Sequence, residues 1–469
     1  MNFADAVQTQ ESRTTNGMKA LAGSGDACVD LFYKVGALRK GDPIPPFTAA
    51  LAENEDLALR IVQWARDVRG GSGEREVFRK ILAHMENRSP ELASKLIDKI
   101  PEIGRWDDLF VLKSKALKEK AFTMLGDALR AKNGLAAKWT PRKGPIANEL
   151  RAFFGMTPKQ YRKSLVALTN VVEQQMCARN WDDINFSHVP SVAASRYKKA
   201  FLRNAPTEYS AYVAKLAAGD KSVKINASAI FPHDVLKDVL VRGSVQSKSG
   251  TILDAITAQW DALPNYVGDS SVLALVDVSG SMDQSAGGTS VTCHQVALSL
   301  GLYTADKNKG PFKDTFLTFS SKPELMHLKG NIIQKLEQMN QSNWDMSTNV
   351  IAAFDKILSV ATKGGVADAD MPKTLLILSD MQFDQCARFD DSAFEAVKRR
   401  FSAAGYSVPN IVFWNLNASS NVPVKSNDQG VALVSGFSPA ILGTILGSSE
   451  DFTPYGMMLK AVMSDRYAL

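Results

Sequence analysis

The pattern that most constrains this chain lies in its second half, where short apolar-rich runs alternate with helical segments. The runs occupy 272–276, 315–319, 374–378, 411–416 and 431–434. Runs of this length without polar alternation suit parallel strands covered on both faces. Between them, 294–303, 332–339, 350–358 and 393–404 read as helices. Strand–helix alternation predicts a doubly wound, Rossmann-like α/β sheet, whose ligands bind beyond the carboxyl ends of the strands.

The first half reads differently. Val77, Phe78, Ile81 and Leu82 follow the spacing of an amphipathic helix, as do Leu92, Leu96 and Ile97, and Leu57, Leu59, Ile61, Val62 and Trp64 form one apolar-rich segment. Breaks recur at Gly70-Gly71-Ser72-Gly73, Ser89-Pro90, Pro101, Gly104 and Pro141. Many short helices with short connections predict a HEAT-like stack of helix pairs. The expected division is an α-helical domain over 1–265 and an α/β domain over 270–469, two cores for 469 residues.

Composition narrows the class. With 45% hydrophobic and 22% charged residues the chain is neither disordered, collagenous nor a coiled coil. Cys28, Cys177, Cys293 and Cys386 form no C-x-x-C pair, which argues against a disulfide scaffold and for a reducing compartment. His84, His188, His233, His294 and His327 stand singly, without the H-x-x-x-H of a zinc hydrolase, and read as satisfied helix or surface residues. Met346, Met457 and Met458 read as core filling. The first thirteen residues lack the apolar stretch of an export signal. The uncharged stretch 430–449, broken by Ser435, Gly436, Ser438, Pro439 and Gly443, reads as a strand and a helix. A soluble cytoplasmic protein with no membrane partner is expected, in the host cytoplasm if it is viral.

Charge is unevenly spread. Residues 270–469 hold 16 basic and 19 acidic side chains, whereas 112–205 hold 18 basic and 6 acidic. Such a concentration suits a phosphate-backbone binder, and equally a set of solvated helix faces. Candidate RNA contacts are Lys138, Trp139, Arg142, Lys143, Arg151, Lys159, Arg162, Lys163, Arg196, Lys198, Lys199 and Arg203. Trp139 between Lys138 and Arg142 interleaves an aromatic face with cations, as single-strand binders require; core packing is the alternative. The loop Arg69-Gly70-Gly71-Ser72-Gly73-Glu74-Arg75 offers amides to a phosphate or simply joins two helices tightly. Trp106 beside Asp107-Asp108 either stacks a base or packs.

The first apolar run leads directly into Asp277-Val278-Ser279-Gly280-Ser281-Met282, a D-x-S-x-S motif. A later run ends at Ser379-Asp380, and Ser347-Thr348-Asn349 precedes the helix beginning near Val350. Carboxylates and small hydroxyls on tight loops at strand ends suit a hard cation such as Mg²⁺, which takes about six oxygens. The alternative is that the two aspartates cap helix N-termini. This set resembles the metal-ion-dependent adhesion site of von Willebrand factor A domains, over about 200 residues. The resemblance implies that Ser279, Ser281 and Thr348 ligate Mg²⁺, or another divalent cation such as Mn²⁺, directly. It also implies that Asp277 and Asp380 act mostly through water, and that a partner's Asp or Glu takes the remaining position. One departure is that Met346-Ser347 replaces the usual Gly-Gly before the threonine.

Helical repeats followed by such a domain resemble the TROVE family of Ro autoantigen ring proteins. More closely, the chain resembles the virus- and plant-distributed family catalogued as domain of unknown function 2828. The matching segments include Asp30-Leu31-Phe32-Tyr33-Lys34-Val35-Gly36, Gly104-Arg105-Trp106-Asp107-Asp108-Leu109, Ser379-Asp380-Met381-Gln382-Phe383-Asp384 and Phe413-Trp414-Asn415. The Ro resemblance implies a non-catalytic protein that binds small structured or misfolded RNAs and single-stranded ends on a basic helical scaffold. A metal-dependent protein-interaction or virion-associated module is the alternative. An enzyme is the least supported class, because no Ser/His/Asp order, paired acids or second metal cluster is present.

Overall fold

A computed structural model describes residues 11–241, 243–246, 250–342, 347–384, 393–418, 421–446 and 451–469. Met346, Cys386 and the end of the 430–449 stretch lie outside them. The strands are β1 (Glu11–Arg13), β2 (Lys19–Leu21), β3 (Leu240–Val241), β4 (Ser244–Val245), β5 (Val272–Val276), β6 (Thr315–Thr318), β7 (Leu325–His327), β8 (Thr374–Ser379), β9 (Asn410–Asn415) and β10 (Val431–Ser435).

Six of them form one sheet in the order β10-β9-β8-β5-β6-β7. All pairings are parallel except β6 with β7. The apolar runs became its strands because both faces are covered: every residue of β5, β6, β8 and β10 is buried. The helix Cys293–Lys307 packs on β5, β6 and β8, while Ala27–Val35 and Pro454–Val462 pack on β10. After β6 the chain crosses back over β5 to place β8 on its other side. The order therefore reverses between β5 and β8, which makes their carboxyl ends the crevice of the sheet. The antiparallel edge strand β7 has no counterpart in the apolar pattern, since Leu325 and His327 are exposed.

The first half is helical. Ala27–Val35, Ile44–Glu53, Glu55–Arg66, Arg75–Arg88 and Pro90–Ile103 each pack on the next. Asn54 caps Glu55–Arg66 by accepting the Leu57 N–H, an arrangement that stops one helix and starts another with no linker. The glycine-rich loop is the tight connection: Ser72 N–H donates to the Trp64 carbonyl and Gly73 N–H to Asp67. A Cβ at Gly71 would stand 1.8 Å from the Trp64 oxygen. With these amides used internally, the phosphate reading of the loop falls. Trp106 is buried as a packing residue, and Asp108 beneath it accepts from Arg66 and Arg79, both at 2.7 Å.

One continuous hydrophobic core runs from Met18 through the helices up to Leu165, the sheet and Tyr467. A second, smaller core gathers Phe186, Phe201, Tyr209 and Tyr212 within 172–216. The two halves of the chain thus share apolar interior, with the helix Ala27–Val35 lying directly on the last strand. Among the described residues no helix is long and apolar enough to cross a membrane.

Candidate metal centre

The crevice between β5 and β8 is built from backbone outward. Asp277 follows β5, and its N–H donates to the Leu378 carbonyl at 3.0 Å, extending the ladder by one step. Its Oδ1 accepts the Ser279 N–H at 3.0 Å, which turns the chain, and its Oδ2 accepts the Ser379 hydroxyl at 2.5 Å. The turn brings the Ser279 and Ser281 hydroxyl oxygens to 3.1 Å from each other. Across the seam Asp380 accepts Gln284 Nε2 at 2.7 Å on Oδ2 and the Gln382 N–H at 3.3 Å on Oδ1. The next residue, Met381, holds φ +66°, a left-handed conformation costly for a side-chain-bearing residue.

Thr348 arrives from a third element. Asn349 caps the helix Val350–Gly364, and Thr348 immediately before it is fully buried. Thr348 Oγ1 lies 2.9 Å from the Gln382 carbonyl and 3.2 Å from Asp384 Oδ1. Asp384 Oδ2 also accepts the Thr348 N–H and the Ser347 hydroxyl, each at 2.8 Å. Thr348 is thus joined to Asp380 through the single residue Gln382.

The electrostatics suit a cation. Asp277 is pushed up to about 7, chiefly by burial and next by the neighbouring Asp380 charge. Burial also raises Asp380, against the Ser281 hydroxyl and the Gln382 amide. Among the described residues, the groups acting most strongly on Asp277 are Asp380, Ser379 and Ser279, and those on Asp380 are Ser281, Gln382 and Gln284, not Lys or Arg. Asp277, Asp380, Ser279 and Ser281 gather carboxylate and hydroxyl oxygens, donors of the hard kind; Thr348 stands one residue removed, through Gln382. Asp277 does close a turn, as the capping alternative expects. Its second oxygen and both oxygens of Asp380 instead face side chains and amides of the crevice.

Three participants were not anticipated. Gln284 and Asp384 carry no motif spacing of their own, although Asp384 ends the segment Ser379 to Asp384. The β1–β2 hairpin comes from the far end of the chain: Asn16 Nδ2 donates to the Gln382 carbonyl at 2.8 Å and reaches Thr348 Oγ1 at 3.4 Å. Thr15 N–H donates to Gln382 Oε1 at 2.8 Å, and Gly17 bridges to Asp384.

The basic residues fall into two groups. Lys143, Lys159, Arg162, Lys163, Arg196 and Arg203 are exposed, and among the described residues none has an ion-pair partner. Others are engaged: Lys138 reaches Glu173 at 3.5 Å, Arg142 donates to Thr169, Arg151 to Asn148, and Lys199 pairs with Asp238. Two of the candidates are less available to a ligand than the rest. Lys198 is buried and pairs with Asp238 at 2.6 Å, so its ammonium is withdrawn from the surface. One face of Trp139 is covered by the Arg105 guanidinium, 3.7 Å from the ring centroid, which removes that face as a stacking platform.

Comparison with known proteins places this chain in a family. The model of "Domain of unknown function (DUF2828)" matches residues 14–102 and 141–273, and that of "Domain of unknown function (DUF7788)" matches 271–462. An uncharacterized protein of Acanthamoeba polyphaga mimivirus is 32% identical over 96% of this chain and 86% of its own length. The crystal structure of the Deinococcus radiodurans Ro protein superposes with a TM-score of 0.48 at 14% identity, covering 93% of this chain and 99% of that one. Carried by the near full-length viral relative and the matched segments, the assignment is that this chain belongs to the DUF2828 family.

Proposed function

We propose that this protein is a non-catalytic RNA-binding protein, whose helical half holds phosphates and whose sheet carries a divalent cation for an acidic partner. The observation that carries the RNA reading is the set of exposed cations with no internal ion pair, Lys143, Lys159, Arg162, Lys163, Arg196 and Arg203. Charges already paired within the fold are offset, whereas these six are free to replace the counterions of a phosphate backbone. Lys159, Arg162 and Lys163 stand at i, i+3 and i+4 on the helix Pro158–Leu168, so one face presents all three. The free thiols Cys28, Cys177 and Cys293 suit the cytoplasm.

At the sheet, Ser279, Ser281 and Thr348 would hold Mg²⁺ or Mn²⁺, with Asp277 and Asp380 balancing its charge. When bound, the ion supplies an open Lewis-acid position for a carboxylate. A second reading, a metal-dependent protein-interaction or virion-associated module, is favoured by one observation: Asp277 and Asp380 are both buried and, among the described residues, neither is in an ion pair. Filter binding of RNA at two salt concentrations, with and without chelator, separates the two. Retention that falls steeply with salt and ignores chelator supports RNA held on the helices. No retention at low salt overturns it, and chelator-sensitive capture of a protein then supports the second reading.

A further inference from the structure

We propose that the cleft between the helices Lys115–Arg130, Pro145–Phe153 and Pro158–Leu168 is a pocket for unpaired nucleobases, so that RNA on these helices is gripped as a single strand. This rests on the RNA reading and goes beyond it, because phosphate contacts alone do not distinguish a single strand from a duplex.

The cleft has a volume of about 550 Å³, within the roughly 300–1,000 Å³ of sites that take small organic groups. Phe122, Phe153, Phe154, Met156, Tyr161 and Leu165 form its walls. Phe153 is 44% exposed and Met156 36%, an unusual surface for a region otherwise rich in charge. The rings are held in place. Phe153 meets Phe122 edge-on at 5.5 Å and Phe154 edge-on at 5.6 Å, and Tyr161 donates its hydroxyl to the Pro141 carbonyl at 2.7 Å. A rigid aromatic face costs little entropy when a base stacks on it.

Charge decides the occupant. Arg130 lines the cleft but is paired with Asp127, and on the helix Pro158–Leu168 Arg162 flanks the lining residues Tyr161 and Leu165, while Lys159 and Lys163 stand on the other face. Arg151 and Arg142 stand close enough to act on the Tyr161 hydroxyl. The acids Asp127 and Glu149 are cancelled by Arg130 and Lys118, which leaves Arg142, Arg151 and Arg162 without an ion pair among the described residues. The uncompensated charge is therefore positive, around a slot of aromatic rings. That combination fits a strand with splayed bases and continuous phosphates. A regular A-form duplex keeps its bases stacked inside and has nothing to insert.

The test is fluorescence anisotropy with a short oligouridine and a blunt RNA duplex of equal length, on the full chain. Phe153→Ala should weaken oligouridine binding roughly tenfold, the loss expected for one stacked base. It should leave duplex binding, the salt dependence and the thermal midpoint unchanged, and Phe153→Trp should retain single-strand affinity. A triple alanine variant of Lys159, Arg162 and Lys163 should weaken both ligands. If Phe153→Ala binds oligouridine like the parent while the triple variant fails, the pocket is refuted and the RNA reading survives. If the parent binds neither RNA, both are refuted. Capture of a Leu- and Glu-rich peptide that Phe153→Ala abolishes and oligouridine does not displace would also refute the pocket, making the cleft a protein groove.

Discussion

The Gly36 amide donates to the Ser435 hydroxyl at 2.9 Å, and that hydroxyl lies 3.2 Å from the Phe32 carbonyl. The end of the first long helix and the last strand of the sheet are therefore joined through the Ser435 hydroxyl, across a separation of 399 positions. A Cβ at Gly36 would stand 2.2 Å from the Ser435 carbonyl oxygen.

Gly36→Ala is expected to destabilise the protein by about 3 kcal/mol or more, because neither backbone can yield without disturbing the sheet. Equilibrium denaturation followed by far-UV and tryptophan signals should show a lowered midpoint in both probes together. A shift confined to one probe would contradict the shared core.

The chain's last residues make a similar join. Buried Asp67 accepts Arg466 Nε at 2.5 Å and the Tyr467 hydroxyl at 3.1 Å. Tyr467→Phe should cost about 1 kcal/mol, one ordinary hydrogen bond. Asp67→Ala should cost clearly more, since it strands the Arg69 amide and the Tyr467 hydroxyl as well as loosening Arg466. Comparable losses from the two variants, measured by urea titration, would show that the Asp67 carboxylate is not the anchor.

For the proposed metal centre, Mg²⁺ or Mn²⁺ should stabilise the fold by about 2.7 kcal/mol at one hundred times the dissociation constant, read as a rise in melting temperature that grows with the logarithm of metal concentration. Asp380→Asn should abolish most of that rise while folding normally without metal. Calorimetry that finds equal metal stabilisation in Asp380→Asn and the parent would remove Asp380 from the site.

His233 supplies a pH signature away from that centre. It is buried against Phe231 and Phe437, and its Nδ1 has no partner among the described residues. Burial, aided by Arg39 and Lys237 and opposed by Asp234, lowers it to about 4 from its ordinary 6.5. Between those values the unfolded chain binds a proton that the native state refuses, so stability falls as pH drops through that window. The loss amounts to about 3 kcal/mol by pH 4. His233→Phe should lack this component, making the parent lose ground to the variant from pH 6.5 downward and nowhere above. A difference that is flat across this range would show that the imidazole titrates freely.

Much of the sheet was legible because its signals are local. Val272–Val276 is apolar throughout, as is the centre Leu375–Leu378 of Thr374–Ser379, and only a doubly covered strand makes every residue of such a run useful. Asp277 and Asp380 were legible for the same reason, since a strand's end fixes where the next side chain emerges. The edge strand β7 was not, because a half-exposed strand exists by pairing with β6 rather than by its own pattern. The surroundings of Trp139 and Lys198 were not legible, because they are set by distant neighbours: Arg105 lies 34 positions before the ring it covers, and Asp238 lies 40 beyond the lysine it pairs with.

By itself the sequence determined the alternation of strand and helix, the hydroxyls and acids at the strand ends, and the excess of positive charge, all of which depend on residues within a few positions of one another. Only the tertiary structure decided that Asn16 and Asp384 close around Thr348, that the helical half shares its interior with the sheet, and which cations remain unpaired. Those outcomes depend on pairings across hundreds of residues, where burial and charge are set by what the fold brings near rather than by what the chain places next.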